Sequence, residues 1–577
     1  MKYQLINNEQ NSNDAITQIF LNRGFKEEDI PHYLNTTDED ILDPNLLKNI
    51  EIGAKMLLDC IANKKKMFIV PDVDADGFTS AAILINYIFS INPDYAKEYI
   101  SYCINDGKQH GIILENIPTD TYLAIYPDSA SNDYEYHKIL KDKGIQVLIL
   151  DHHEAEYESA DACVINNQLC DYPTKSLSGA GIVYKFCCKL DEMLNVSNAH
   201  LFLDLVSLGL ISDMVSLKDF ETKHLVKLGL ENIRNPFFRH MKSKNNYQLG
   251  DNLTPTGIAF YITPYINATI RMGSKSEKQT LFESMLDFKA YEEIPSTKRG
   301  CKGQTETRVE QACRNCTNIK NRQTRARDAS LERIEGLIEQ YSLLENKILT
   351  ILLPREINFE TTLTGLIANQ LMAKYQRPVL LLNKTADGWE GSGRGYDKSK
   401  FDNLREFLKE SDLVMYAEGH ANALGVGITD KNFSTFIDYS NQVLANFDFT
   451  PCYKVDFIFY GDDFRGTDIV EIAELKSLWG QGVDEPLVAI EHINIHNGNV
   501  TLMSPDKSPT LKITLPNGTS LIKFKSSQEE YEKLRSETGC ITINVVGKCE
   551  RNIWNGLVSP QIIVEDYEIV GEQKYYF

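Results

Sequence analysis

Residues 67–77 read MFIVPDVDADG, an apolar run that ends in aspartates at alternate positions, Asp72, Asp74 and Asp76. Like charges this close repel, and each raises the pKa of its neighbours unless a cation sits among them. Further along, the apolar run TYLAIYP ends at Asp128, and QVLIL ends at Asp151, His152 and His153. Asp213 lies inside the apolar GLISDMVSL, where a buried carboxylate would need a partner. Hard carboxylates with one or two imidazoles and no thiolate suit Mn2+ or Mg2+ better than a closed structural zinc site. That many carboxylates can hold two ions with one oxygen bridging them, an arrangement that activates water and stabilises a leaving oxygen at phosphorus. Taken singly, the Asp-rich turn is equally a helix cap and DHH a chance tripeptide. Together, each directly after a predicted strand, they point to metal-dependent attack on a phosphodiester.

The surrounding pattern explains how such groups could meet. Residues 1–63 read as short helices, among them LLKNIEIGAKMLLDCIA. Strand and helix then alternate: MFIVP, TSAAILINYIF, TYLAIYP, NDYEYHKILKDKG and QVLIL. This rhythm predicts a parallel sheet with helices on its faces, and ligands of such sheets bind beyond the carboxyl ends of the strands. Three strands would thus deliver acidic and imidazole groups to one edge. A helical region runs from SLSGAGIVYKF to LERIEGLIEQY, and a second α/β unit opens at KILTILLP and contains the glycine-rich GWEGSGRGY and EGHANALGVGI. From about residue 486 short alternating strands suit a small β-barrel of the oligonucleotide-binding (OB) type.

Composition narrows the class. The length of 577 residues suggests three or four domains, and 42% hydrophobic with 24% charged residues is ordinary for soluble protein. The start is polar and no apolar run reaches the length of a membrane span, so a cytoplasmic, membrane-free protein is expected. Of twelve cysteines, Cys313 and Cys316 form a CxxC with only Cys301 near, which reads as reduced thiols rather than zinc ligands. A net charge of −21 argues against nucleic-acid binding by bulk charge. It leaves room for a local patch. Lys298, Arg299, Lys302, Arg308, Arg314, Lys320, Arg322, Arg325 and Arg327 face only Glu306 and Glu310 in their stretch, which reads either as a solvated helix face or as a path for a single strand.

VDADG, DHH, the intervening Asp128 and GLISDMVSL resemble the DHH phosphoesterase superfamily, and more closely its RecJ family of single-strand-specific exonucleases. The resemblance runs nearly the whole length: LNRGFKEEDIPHYLN near the start, SLSGAGIVYKF, PYINATIRMG, the NRQ at Asn321–Gln323, GSGRGY and EGHANALG of a DHHA1 domain, and LKSLWGQGVDEP before the barrel. It implies an α/β fold in which a DHH-type parallel-sheet domain is joined by helices to a smaller DHHA1 α/β domain, with a C-terminal OB-like β-barrel. The expected divisions are 1–235, 236–345, 346–450 and 451–577. It implies two ions, Mn2+ or Mg2+, one held by Asp74 and Asp128 and the other by Asp76, Asp128, His152 and Asp213. His153 would lie against the scissile phosphate, with Asp151 orienting the histidines. Ser392, Arg394 and His420, helped by Arg271, Arg322 and Gln323, would grip backbone phosphates, while Gly419, Ala423 and Gly425 let the strand approach. Two positions depart from the family pattern: Val70 stands where many DHH enzymes carry a histidine, and Gln370 where an arginine is usual.

The resemblance therefore implies a 5′→3′ exonuclease that degrades single-stranded DNA to 5′-mononucleotides in repair, recombination or replication, as a monomer alongside a single-strand-binding protein or helicase. Phe524, Trp554 and Tyr567 are candidate base-stacking faces in the barrel. A phosphodiesterase acting on short oligonucleotides or cyclic dinucleotides would use the same centre. A replication scaffold without catalysis would show eroded ligands, and none is missing here.

Overall fold

The computed structural model describes residues 1–577 except 106–108, 251, 354–362, 402, 462–463, 536–538 and 575–577. The chain divides into two units, one comprising Glu28–Gln323 and Leu475–Glu485, the other Met1–Glu27, Thr324–Glu474 and Pro486–Phe577. It opens on a strand, β1 (Lys2–Leu5), where the sequence pattern suggests only helices. The partner of β1 lies some 450 residues ahead, beyond the reach of any local pattern.

In the first unit β2 (Met67–Ile69), β3 (Ile100–Tyr102), β4 (Leu123–Pro127), β5 (Gln146–Asp151) and β6 (Cys163–Asn166) form one sheet in the order β3-β2-β4-β5-β6. Every pairing is parallel. The strands β2, β4 and β5 are apolar nearly throughout because both of their faces are covered. On one face Phe68, Tyr126, Val147, Ile149 and Val164 pack with Leu140 of helix Tyr134–Asp142. On the other, helix Ile50–Ala62 comes so near that a Cβ on its Gly53 would lie 2.8 Å from Leu148 and Ile165. Two of the sheet's strands, β3 and β6, are absent from the sequence reading, because three or four residues carry no periodicity. Helices Ala75–Ile91, Gly179–Leu194 and Leu203–Ser212 follow, then the hairpin of β7 (Glu293–Pro295) and β8 (Thr305–Thr307), and the 33-residue helix Arg308–Gln340, whose residues from Thr324 on are assigned to the second unit. The segment Leu475–Glu485, expected as a junction into the barrel, returns to this unit: Leu217 N–H donates to Gln481 O at 2.8 Å and Thr256 to Trp479 O at 3.1 Å.

In the second unit β9 (Leu349–Leu353), β10 (Val379–Lys384), β11 (Trp389–Arg394), β12 (Tyr416–His420) and β13 (Ala423–Ile428) form a sheet ordered β12-β13-β11-β10-β9. Only β9 and β10 run parallel. Strand β14 (Cys452–Val455) takes β1 as its parallel partner, so the first 27 residues belong with this unit rather than with the parallel-sheet domain. Seven strands make the last sheet, β15 (Phe457–Tyr460), β16 (Val488–His496), β17 (Val500–Met503), β18 (Thr510–Thr514), β19 (Ser520–Phe524), β20 (Gly539–Trp554) and β21 (Leu557–Lys574). The last two are not the short strands expected. They run 16 and 18 residues and join across Asn555-Gly556, both at positive φ, which matches the strand twist.

Candidate metal centre

The carboxyl ends of β2, β4 and β5 bring Asp72, Asp74, Asp76, Asp128, Asp151, His152 and His153 to one edge, and Asp213 joins them from the end of helix Leu203–Ser212. Asp74 caps helix Ala75–Ile91, accepting from Gly77 N–H at 2.9 Å. Asp76 sits in the first turn of that helix, buried, with its carboxylate at the N-terminus of another, Gly179–Leu194. There it accepts from Gly179 N–H at 2.7 Å, Ala180 N–H at 3.2 Å and the Ser178 hydroxyl at 2.9 Å. The motif SLSGAG thus supplies an anion cradle of free N–H groups. Two glycines permit the approach: a Cβ at Gly179 would overlap Asp128, and one at Gly209 would overlap Asp76. Asp128 itself lies at φ 69°, a left-handed turn that aspartate tolerates at about 1 kcal/mol.

Around this floor the candidate ligand atoms cluster in three overlapping groups, each within 4.8 Å: Asp72, Asp74 and Asp128; Asp76, His152 and Asp213; Asp128, Asp151, His152 and His153. His152 Nε2 is 3.2 Å from Asp128 Oδ1 and 3.6 Å from Asp213 Oδ2. Neither His152 Nε2 nor Asp128 Oδ1 has a hydrogen-bond partner among the described residues. Asp151 differs. Its Oδ1 accepts from His152 N–H at 2.8 Å and meets His153 Nδ1 at 2.7 Å, and its Oδ2 accepts from Ser131 N–H at 3.1 Å.

The electrostatics sort these groups. Burial, then repulsion from Asp74, lifts Asp76 to about 6; burial, then Asp76 and Asp74, lifts Asp213 to about 8 and drives Asp128 well above its ordinary value. Burial, then the charge of His153, pushes His152 down to about 4, leaving a neutral imidazole that can act as a ligand. Burial opposes ionisation of Asp151 too, but the bond and charge of His153 outweigh it and hold the carboxyl at about 2. The same bond raises His153 to about 9. Repelling, raised carboxylates around a neutral imidazole with an unpartnered nitrogen fit hard divalent cations, and the absence of thiolates disfavours zinc. Cys313 and Cys316 take no part: both are buried in helix Arg308–Gln340, and burial pushes their thiols up.

Over 584 positions the chain is 36% identical to a Bacillus subtilis (strain 168) protein described as a candidate SPbeta prophage-derived single-strand DNA-specific exonuclease, an alignment covering 100% of this chain and 99% of that one. This chain belongs to the RecJ family. The single-stranded-DNA-specific exonuclease RecJ of Bacillus subtilis is 26% identical over 592 residues, 97% of this chain and 68% of its own. Residues 66–210 match the DHH family, N-terminal domain, and residues 462–566 the RecJ OB domain. The crystal structure of Thermus thermophilus RecJ in complex with Mn2+ superposes with a TM-score of 0.69 at 20% identity, covering 97% of this chain and 76% of that one, a likeness of fold.

The RecJ-type phosphate-binding candidates fall in both units. In the second, antiparallel register sets Arg394 opposite Ala423, and Ala423 opposite His420, so the three share one face; Ser392 lies two residues back on that face, opposite Gly425. Ser392 Oγ is 3.0 Å from Thr364 Oγ1, and a Cβ at Gly365 would come within 2.7 Å of the Arg394 guanidinium. Arg394 donates to the Gly393 carbonyl at 2.7 Å, and burial lowers its pKa. In the first unit Arg271 and Arg322 are exposed, the latter donating to Met272 O at 2.9 Å, whereas Gln323 is buried with its oxygen taken by Lys320 at 2.8 Å. The basic stretch is partly self-neutralised: Glu306 takes Lys298 at 3.1 Å and Arg314 at 2.5 Å, Arg308 pairs with Glu283 and Glu292, and Arg327 with Asp328. Val70 is buried in the apolar cluster with Tyr126, so the core claims the position of the usual histidine. Sequence reasoning left one contact of the centre unread, His110 Nδ1 at 2.7 Å from Asp72 Oδ2. The available signal is a His-Gly pair following the short run ISYCI.

Proposed function

We propose that this protein is a metal-dependent exonuclease that degrades single-stranded DNA 5′→3′ to 5′-mononucleotides. The observation that carries the reading is the cluster of the buried Asp76 and Asp128 and the half-buried Asp213, carboxylates raised by burial and neighbouring charge, around the neutral, unpartnered Nε2 of His152. Asp74 and Asp128 would hold one Mn2+ or Mg2+ ion, and Asp76, Asp128, His152 and Asp213 the second. Two such ions, when bound, activate water and neutralise charge on the scissile phosphate. The chain's own groups supply the rest. His153, kept charged by Asp151, has its Nδ1 on that carboxylate and offers Nε2–H to the scissile phosphate. Ser392, Arg394 and His420 on their shared face, and the exposed Arg271 and Arg322, bind backbone phosphates; Gln323, buried, acts by holding Lys320. Exposed Phe524 and Trp554 are the better stacking surfaces, since Tyr567 is half-buried beneath Lys523.

The family supports the substrate: relatives carry single-strand-specific exonuclease names, and the chain retains both the DHH and RecJ OB segments. The setting we infer is cytoplasmic DNA repair, recombination or replication, with the protein acting as a monomer beside a single-strand-binding protein or helicase. No helix among the described residues is long and apolar enough to cross a membrane. The test uses a strand labelled at either end, with Mn2+, Mg2+ or chelator, beside the matching duplex. Immediate metal-dependent release of a labelled mononucleotide from the 5′ end only is expected. Survival of long strands with loss of short oligonucleotides or dinucleotides would transfer the same chemistry to the small substrate.

A further inference from the structure

Asp72 and His110 stand outside the ligand set assigned above. Asp72 is 3% exposed, and its Oδ2 lies 2.7 Å from His110 Nδ1. The His110 ring is 60% exposed. These values nearly repeat those of Asp151 and His153, a carboxylate 1% exposed, a 2.7 Å contact to Nδ1, and a ring 55% exposed. The strand order places the two histidines on either side of the acidic strand ends. His110 follows β3 and His153 follows β5, while the strands between, β2 and β4, carry Asp74, Asp76 and Asp128. In both rings Nδ1 is committed to a buried carboxylate. Nε2, on the far side of an imidazole from that bond, has no hydrogen-bond partner among the described residues in either.

A purely architectural role for His110 has little left to do. The residues that follow it are already held: Asn105 donates to Gly111 O at 3.3 Å and Asp133 accepts from Ile112 N–H at 2.8 Å. Gly111, at φ 72°, packs against Asp133 where a side chain would clash. Nor does holding Asp72 require an exposed ring, since a buried amide or hydroxyl would serve. The exposed edge of the ring is what an imidazole adds.

We propose that His110 is a second substrate-contacting residue of this centre, its Nε2–H donating to a phosphate oxygen of the bound strand so that His110 and His153 hold the phosphodiester from opposite flanks of the acidic cluster. The inference rests on reading the cluster as a site of phosphodiester hydrolysis. No bond forms or breaks at His110: Asp72 holds Nδ1 and leaves the exposed Nε2 edge for the phosphate oxygen, the arrangement that Asp151 gives His153.

The test compares full-length wild type with His110→Ala and His110→Gln, the latter keeping an amide that can donate to Asp72. Mn2+ affinity by calorimetry, thermal unfolding, and single-turnover cleavage of an end-labelled single strand at saturating Mn2+ are measured for each. Bis(p-nitrophenyl) phosphate is a second substrate that needs only the metal centre and a phosphate grip. The expected result is unchanged Mn2+ affinity and melting, with cleavage slowed about 10–100-fold in both variants and partly restored to His110→Ala by added imidazole. Full activity in His110→Gln would show that His110 only steadies Asp72, and a loss of Mn2+ affinity would make it part of the ligand set; either overturns the proposal. Wild type inert on both substrates with Mn2+ would overturn the underlying reading of the centre, a failure distinguishable from failure of the His110 contact alone.

Discussion

The acidic edge of the parallel sheet and the Arg394 face of the smaller sheet handle charge in opposite ways. At the first, Asp76, Asp128 and Asp151 are 1–2% exposed and fixed by backbone N–H groups or close packing, and glycines at 179 and 209 give them no slack. At the second, Ser392, Arg394 and His420 are set out by strand register, and the floor between them is open: nothing lies nearer than 3.9 Å to a Cβ built on Gly425. Chemistry at phosphorus needs ligand positions held before substrate arrives. Holding a flexible polymer without choosing its sequence needs a smooth surface and a few fixed cations. The contrast predicts that mutations at the edge cost rate and metal, while mutations on the face cost substrate affinity.

Replacing Asp128, which belongs to two of the three ligand clusters, should have the largest effect. Asp128→Ala should lower turnover by more than about 1,000-fold, beyond the loss of a single oxyanion donor, while single-stranded DNA still binds. A fluorescence-anisotropy titration beside the cleavage assay checks both halves, and near-normal turnover would dissolve the distinction between the two regions. Gly209→Ala comes next. The added methyl must displace the Asp76 carboxylate, so Mn2+ affinity by calorimetry should fall about 10–100-fold although no ligand has been removed. Arg394→Ala, on the face, should instead raise KM about 10–100-fold with kcat and Mn2+ affinity nearly unchanged, the loss of one charged hydrogen bond. A matching fall in metal affinity would contradict the division of labour.

The acidic edge also carries a pH signature. Without metal, Asp213 near 8 and Asp76 near 6 are partly or wholly protonated at neutral pH, and an ion must displace those protons. Mn2+ affinity should therefore rise with pH across the window from 6 to 8, by at most about tenfold per pH unit for each proton released. Calorimetry in buffers of different ionisation enthalpy counts the protons directly. A flat profile would mean that the carboxylates are already charged in the metal-free protein.

The edge is the more legible region from sequence, and the reason is geometric. Asp74, Asp128 and His152 each come just after an apolar run, and a parallel sheet gathers the residues at the carboxyl ends of its strands in one place. Asp213 is visible because an acid amid apolar residues demands a partner. His110 is not, since β3 has three residues and its loop gives no pattern. The face is harder still: that Arg394, Ala423 and His420 align is a matter of register between three strands, which spacing alone leaves free. The basic stretch misleads for the converse reason, because Glu306, one acid in the sequence, sits where it neutralises both Lys298 and Arg314. Likewise β1 pairs with β14 across nearly the whole chain, and only tertiary packing specifies that.

The smallest expected effect is the sharpest probe of the comparison, because it sets one glycine against another. Gly425 does not need to be glycine for the fold: its φ is not in the left-handed region and a Cβ there meets nothing closer than 3.9 Å. Gly425→Ala should therefore leave the melting temperature within about a degree of wild type, consistent with a surface change of a few tenths of a kcal/mol. If the DNA backbone lies along the strip between Ser392 and Glu418, the methyl occupies its space, and KM for single-stranded DNA should rise several-fold with kcat held. Gly209→Ala makes the opposite pattern, metal affinity lost and DNA affinity kept. Should Gly425→Ala bind DNA as wild type does, the open floor is not the path of the strand, and the grip attributed to Arg394 would have to act on a phosphate approaching from elsewhere on that face.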